Sequence, residues 1–181
     1  MRYFLVAGEA SGDLHASALI WALRAEDPEA SFAFMGGDKM EAAAGVAPIV
    51  HYREVAFMGI VSVVKNLGKL TRIGQQIQAS MRDFAPDVVI PVDYADFNFR
   101  FILPYAKKEL RCPVIYYILP KLWAWIAGRI RQLRRYVDLG LSILPFETNY
   151  FSDRGLRTEY IGNPCVDAKL TYLAEHPEPV E

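Results

Sequence analysis

A doubly wound α/β fold, a parallel sheet with helices on both faces, is predicted by three features of the sequence. Short apolar runs rich in β-branched and aromatic residues recur at Tyr3–Ala7, Ser31–Met35, Val88–Val92, Val114–Leu119, Leu139–Leu144 and Glu159–Ile161. They lack the strict alternation of strands with one solvated face. Stretches with helical spacing separate most of them, which is the βαβ rhythm of a parallel sheet. The length of 181 residues suits about one domain burying roughly 70% of its unfolded surface.

The first run, ending at Ala7, reads as a strand and not as a secretory signal, because its apolar stretch is short and Glu9 interrupts it. Leu14, Ala18, Leu19, Ala22 and Leu23 line one face of a helix over Leu14–Ala25. A second, wider stripe runs through Ile60, Val64, Leu67, Leu70, Ile73, Ile77, Met81 and Phe84, broadened by Phe57, Met58 and Val61. The longest apolar neighbourhoods, Ala56–Val64 and Cys112–Gly128, are too short or broken by Pro113, Pro120 and Lys121, so no bilayer-crossing helix is expected. Residues 175–181 are acidic with two prolines and read as a linker. The expected layout is one α/β domain over 1–174, with a second domain beyond that linker.

An apolar content of 52% with 23% charged residues excludes disorder as the main state. Twenty Lys and Arg against 21 Asp and Glu give a net charge of -1, too balanced to grip nucleic acid through the whole surface field. Cys112 and Cys165 form no Cys-x-x-Cys motif, and His15, His51 and His176 show no ligand spacing. Hence no metal, no cofactor and a reducing, cytoplasmic setting are expected.

The chemistry-bearing residues fall where strands run into helices. Gly8-Glu9-Ala10-Ser11-Gly12-Asp13 follows the first strand, where open α/β sheets hold ligands. Its spacing differs from Gly-x-Gly-x-x-Gly, which disfavours NAD, and Ser11 or Asp13 equally suits a helix cap. After Val88–Val92, Asp93-Tyr94-Ala95-Asp96-Phe97-Asn98 offers two carboxylates and an amide for general-base or hydroxyl-binding work; Asp96 as a cap is the alternative. Trp123 and Trp125 suit either sugar or acyl contact or core filling. Arg129, Arg131, Arg134 and Arg135 suit a phosphate, an anionic membrane or a solvated face. Glu147 sits near the start of a helix after Leu144-Pro145-Phe146, and Gly162-Asn163-Pro164 ends the last strand.

Taken together, these segments with Gly36-Gly37 before Met40, Phe57-Met58-Gly59 and Trp123-Ala124-Trp125 before Arg129-Ile130 resemble the lipid-A-disaccharide synthase family along nearly the whole chain. Asn163, His15-Ala16-Ser17 and Tyr52-Arg53-Glu54 look most like the form in Bacteroidetes-type bacteria. The resemblance implies a Rossmann-like half of a glycosyltransferase-B fold on the acceptor side, with the donor-binding half absent from this chain and the chain alone inactive. It implies an inverting transfer from UDP-2,3-diacylglucosamine to 2,3-diacylglucosamine 1-phosphate, making a β(1→6) bond and releasing UDP without a metal. A cytoplasmic location with peripheral contact at the inner membrane goes with those lipid substrates.

By the same resemblance Asp96 is the base, Glu9 and Ser11 position a sugar, Asn98 orients Asp96 or a hydroxyl, and Met58 and Gly59 line the cleft. Gly12, Asp13, Trp123, Arg129, Glu147 and Asn163 are the further expected substrate contacts. Two positions depart from the family pattern: Leu119 stands where a serine usually precedes the proline, and Ile126 where a basic residue is common. A non-catalytic lipid- or sugar-binding module with this fold is the competing reading. The carboxylates and Asn98 weigh against it.

Overall fold

The structure, a computed structural model, describes residues 1–56, 67–124 and 127–176. Among the described residues, seven strands form one wholly parallel sheet in the order β3-β2-β1-β4-β5-β6-β7. They are β1 Arg2–Ala7, β2 Ser31–Gly36, β3 Val50–His51, β4 Val88–Val92, β5 Ile115–Tyr117, β6 Leu139–Ser142 and β7 Thr158–Tyr160. The six anticipated runs are all strands, with ends shifted by a few residues. The two-residue β3 is too short to have carried a pattern.

Helices α1 (Ala10–Glu26) and α2 (Asp38–Ala44) belong to one face, and α4 (Leu67–Phe84) and α6 (Leu103–Lys108) to the other. The sheet's period of two produces this: Phe4 and Val6 of β1 pack with Ile73, Ile77 and Met81 of α4, whereas Tyr3, Leu5 and Ala7 pack with Ala16 and Ile20 of α1. The central strands β1 and β4 are therefore buried on both sides and read as unbroken apolar runs, whereas the edge strand β7 exposes Glu159 and Tyr160. The short α3 (Arg53–Ala56) precedes α4. Of the long apolar stripe, Phe57, Met58, Ile60, Val61 and Val64 lie outside the described residues.

After β4 the chain forms α5 (Ala95–Phe97), a π-helical turn at Asn98–Ile102 and then α6. A 3-10 turn at Ala127–Arg129 leads into α7 (Ile130–Tyr136), and α8 (Pro145–Ser152) and α9 (Pro164–Glu175) follow β6 and β7. Among the described residues no helix is long and apolar enough to cross a membrane.

Strand order reverses between β1 and β4. Their carboxyl ends part there, leaving the crevice in which doubly wound sheets bind ligands. Two features hold that edge. Gly12 brings α1 onto the strands, since a Cβ there would lie 3.2 Å from the Ala7 Cβ. Asp13, expected to touch substrate, is instead buried: its Oδ1 accepts from the Gly37 and Met40 amides at 2.7 and 3.1 Å, and its Oδ2 from Lys39 at 3.1 Å. The side chain thus caps α2, whose N-cap Gly37 has no side chain to do so.

Removing this carboxylate strands amides at the first turn of α2. Asp13→Ala is expected to cost about 3 kcal/mol in urea denaturation, in line with charge-assisted bonds to several buried donors. An unchanged midpoint would show that α2 does not depend on Asp13.

Candidate functional site

The turn leaving β4 is strained. Asp93 and Tyr94 have φ of 44° and 45°, and Ile118 beyond β5 has 63°, so three side-chain-bearing residues take the left-handed conformation at the ends of neighbouring strands. Such residues cost about 1–3 kcal/mol each and persist where their surroundings impose them. Here the Asp93 carbonyl accepts from the Tyr116 hydroxyl at 2.6 Å and from the Asn98 Nδ2 at 2.7 Å. Asn98 is 0% exposed. It therefore holds the turn that leads to Asp96 and is too buried to face a substrate hydroxyl; of its two expected roles, orienting a hydroxyl is set aside. Burial pushes the Tyr116 phenol up, keeping it a donor.

The turn sends its side chains in different directions. Asp93 enters a cavity of about 410 Å³ whose wall includes Ser11, Gly12, His15, Lys121, Arg129 and Glu147. Tyr94 lies over Gly8, where a Cβ would fall 2.1 Å from the ring. Asp96 opens instead onto a second cavity of about 510 Å³, lined in part by Tyr94, Phe99, Arg100 and Leu70. Its side chain is 86% exposed and pairs with the Arg129 guanidinium. Arg129 borders both cavities and stacks 5.2 Å from the Phe99 ring centre.

Electrostatics separates the carboxyls. Burial pushes Asp93 up, offset in part by the Tyr94 amide and the charges of Lys121 and His15. Burial and then the charge of Asp93 raise Glu9, so the fold brings these two carboxyls within each other's influence. Glu9 is the N-cap of α1 but makes no side-chain capping bond there, and neither Ser11 nor Asp13 is the cap. Asp96 likewise lies within α5, whose N-cap is Tyr94. Burial pushes the His15 imidazole down against the opposing pull of Asp93.

Several expected contacts also have structural work. Glu147, 1% exposed, accepts from the Trp123 Nε1 at one oxygen and the Ser142 hydroxyl at the other, both at 2.9 Å. It pins the loop after β5 to the end of β6 while still bordering the Asp93 cavity. Trp123 stays 42% exposed, edge-on to Phe146 with ring centres 5.1 Å apart. Asn163 is the N-cap of α9, its Oδ1 accepting from the Cys165 amide at 3.0 Å. Met58, Gly59, Trp125 and Ile126 lie outside the described residues. His15, Lys121 and Arg100 were not singled out as ligand contacts by the sequence; His15 lies four residues from Ser11, one helical turn on the same face of α1, and that spacing is the signal that finds it.

A family model described as lipid-A-disaccharide synthetase matches residues 3–176. The chain belongs to this family. It is 43% identical over 166 residues to the lipid-A-disaccharide synthase of Myxococcus xanthus, covering 92% of this chain and 43% of that protein. With the synthase of Acidobacterium capsulatum it shares 39% over 167 residues, covering 92% and 41%. The chain thus spans less than half the length of these family members.

Among solved structures, UDP-GlcNAc 2-epimerase from Neisseria meningitidis bound to UDP-GlcNAc superposes with a TM-score of 0.69 at 15% identity, over 97% of this chain and 49% of the other. UDP-N-acetylglucosamine 2-epimerase from Rickettsia bellii gives 0.68 at 9% identity, over 99% and 49%. Those likenesses concern the fold, a Rossmann-like half of the glycosyltransferase-B type.

The raised Asp93 gives a pH signature. Between the ordinary carboxylate range and its raised value the folded chain binds more protons than the unfolded one. The resulting stability is fully present below the ordinary range and is lost as pH rises through the folded value. Asp93→Asn, neutral throughout, is expected to be more stable than the native chain at pH 7, with the gain vanishing toward about pH 4. Equal denaturation midpoints at pH 7 would contradict the burial argument.

Proposed function

We propose that this chain is the acceptor-binding, base-supplying half of a lipid-A-disaccharide synthase. The whole activity is the inverting transfer of 2,3-diacylglucosamine from UDP-2,3-diacylglucosamine to 2,3-diacylglucosamine 1-phosphate. The observation that carries this reading, beside family membership, is Asp96 standing open at the sheet's switch point next to a cationic side chain. A base must meet a hydroxyl arriving from outside the domain, and an exposed carboxylate at the mouth of the crevice suits that task.

In the proposed step the acceptor 6-hydroxyl oxygen attacks the donor anomeric carbon, forming the glycosidic bond as the bond to the diphosphate breaks. The hydroxyl proton passes to Asp96, and UDP departs with the bonding pair. The cavity lined by Asp93 and Ser11 offers a carboxyl raised by burial and a hydroxyl for sugar hydroxyls, with Glu9 close enough to feel the Asp93 charge. The second cavity places Leu70, Phe97 and Phe99 beside Arg100, an apolar wall with a cation, as an acylated sugar phosphate requires. Such a substrate resides in a bilayer, so the protein works on the cytoplasmic face of the inner membrane by peripheral contact. No cofactor and no nucleic acid enter the scheme; the donor is held by a partner half corresponding to the rest of the longer family members.

Two measurements test this. Calorimetry of the chain with short-acyl 2,3-diacylglucosamine 1-phosphate is expected to show saturable binding, and UDP none; UDP binding alone would assign the crevice to the donor. In a chimera carrying residues 1–176 in place of the matching segment of the Myxococcus xanthus synthase, Asp96→Asn is expected to cut turnover by at least about 100-fold with folding intact. Undiminished turnover would remove Asp96 from the chemistry, and acceptor binding without turnover in the parent chimera would favour the non-catalytic module.

A further inference from the structure

Arg129 occupies an unusual place: its guanidinium borders both cavities, it is the salt-bridge partner of Asp96, and its side chain is still 28% exposed. The Phe99 face lies 5.2 Å from its Cζ and steadies the guanidinium between the two openings. The pair it makes with Asp96 is open to water on the Asp96 side, and exposed ion pairs are weak. A phosphate group, with more charge and a geometry matched to the guanidinium fork, is the stronger partner. Whichever opening such a group enters by, a second cation is present, Lys121 in the Asp93 cavity or Arg100 in the Asp96 cavity.

We infer that Arg129 is an exchangeable counter-ion that holds the Asp96 carboxylate until a phosphoryl group enters, then transfers to the phosphate and releases Asp96. No covalent bond changes; one ion pair replaces another. The inference rests on the proposed role of Asp96 as base and adds a condition to it. While Arg129 donates to Oδ1, it competes with a substrate hydroxyl for that oxygen's lone pairs and leaves only Oδ2 open. Once the phosphate has taken the guanidinium, either Asp96 oxygen can accept the hydroxyl hydrogen. A sugar lacking the phosphate would leave Oδ1 engaged, so the phosphate serves both as an anchor and as the group that frees the second Asp96 oxygen.

The test needs only this chain and inorganic phosphate, followed by calorimetry at constant ionic strength. Native protein is expected to bind phosphate saturably. Arg129→Gln should weaken binding at least about tenfold, and Arg129→Lys should restore part of it by charge without the fork. The distinguishing arm is Asp96→Asn: deleting the competing anion should tighten phosphate binding about threefold, the scale of an exposed ion pair. With Arg129→Gln already present, Asp96→Asn should add almost nothing beyond the general loss of a negative charge.

Denaturation midpoints of all variants check that the fold persists. The proposal is overturned by absent saturable binding in the native chain, by undiminished binding in Arg129→Gln, or by Asp96→Asn leaving phosphate affinity unchanged. Exchange seen here with undiminished turnover of Asp96→Asn in the chimera would remove the base assignment and leave the exchange standing. Loss of turnover without any phosphate effect would do the reverse.

Discussion

One carbonyl oxygen organises the site. The Asp93 carbonyl, held by the Tyr116 hydroxyl and the Asn98 amide, fixes a turn of two consecutive left-handed residues that the chain would otherwise avoid. From that turn Asp93 points into one cavity, Tyr94 folds over Gly8, and Asp96 enters the short helix that presents it to the other. The π-helical turn beginning at Asn98 accommodates the geometry by widening the helix next to the site. Asn98 is committed to its donor arm: its Oδ1 is buried and, among the described residues, has no hydrogen-bond partner, a cost of about 1–3 kcal/mol that the turn absorbs.

This arrangement gives similar residues different properties. Burial raises Asp93, and burial with the nearby Asp93 charge raises Glu9, whereas Asp96 stands in solvent against a guanidinium. The frame is set by sheet order: a switch point between β1 and β4 brings together the loops after each, although some 80 residues of chain lie between them.

Much of the fold was legible in the sequence because a strand buried on both faces reads as a dense apolar run, as at Val88–Val92. The strand order was not, since it depends on which crossover returns to which side of β1. The loops carrying the site were also legible, because strand ends followed by polar residues and glycine are distinctive. Individual roles were less so. Asp13, Asn98, Glu147 and Asn163 are polar residues beside a cleft, and only their partners reveal that they cap a helix, brace a turn or pin a loop. Lys121 and Arg100 carry no motif, and their place depends on two loops meeting in space.

The proposed acceptor site is the crevice beyond β1 and β4. A crystal structure of the chain with short-acyl 2,3-diacylglucosamine 1-phosphate tests it. The sugar is expected between Ser11 and Asp96, with the phosphate on Arg129. Ligand found instead in the larger groove between α1 and α9, about 760 Å³ and bordered by Trp21 and Tyr172, would contradict it.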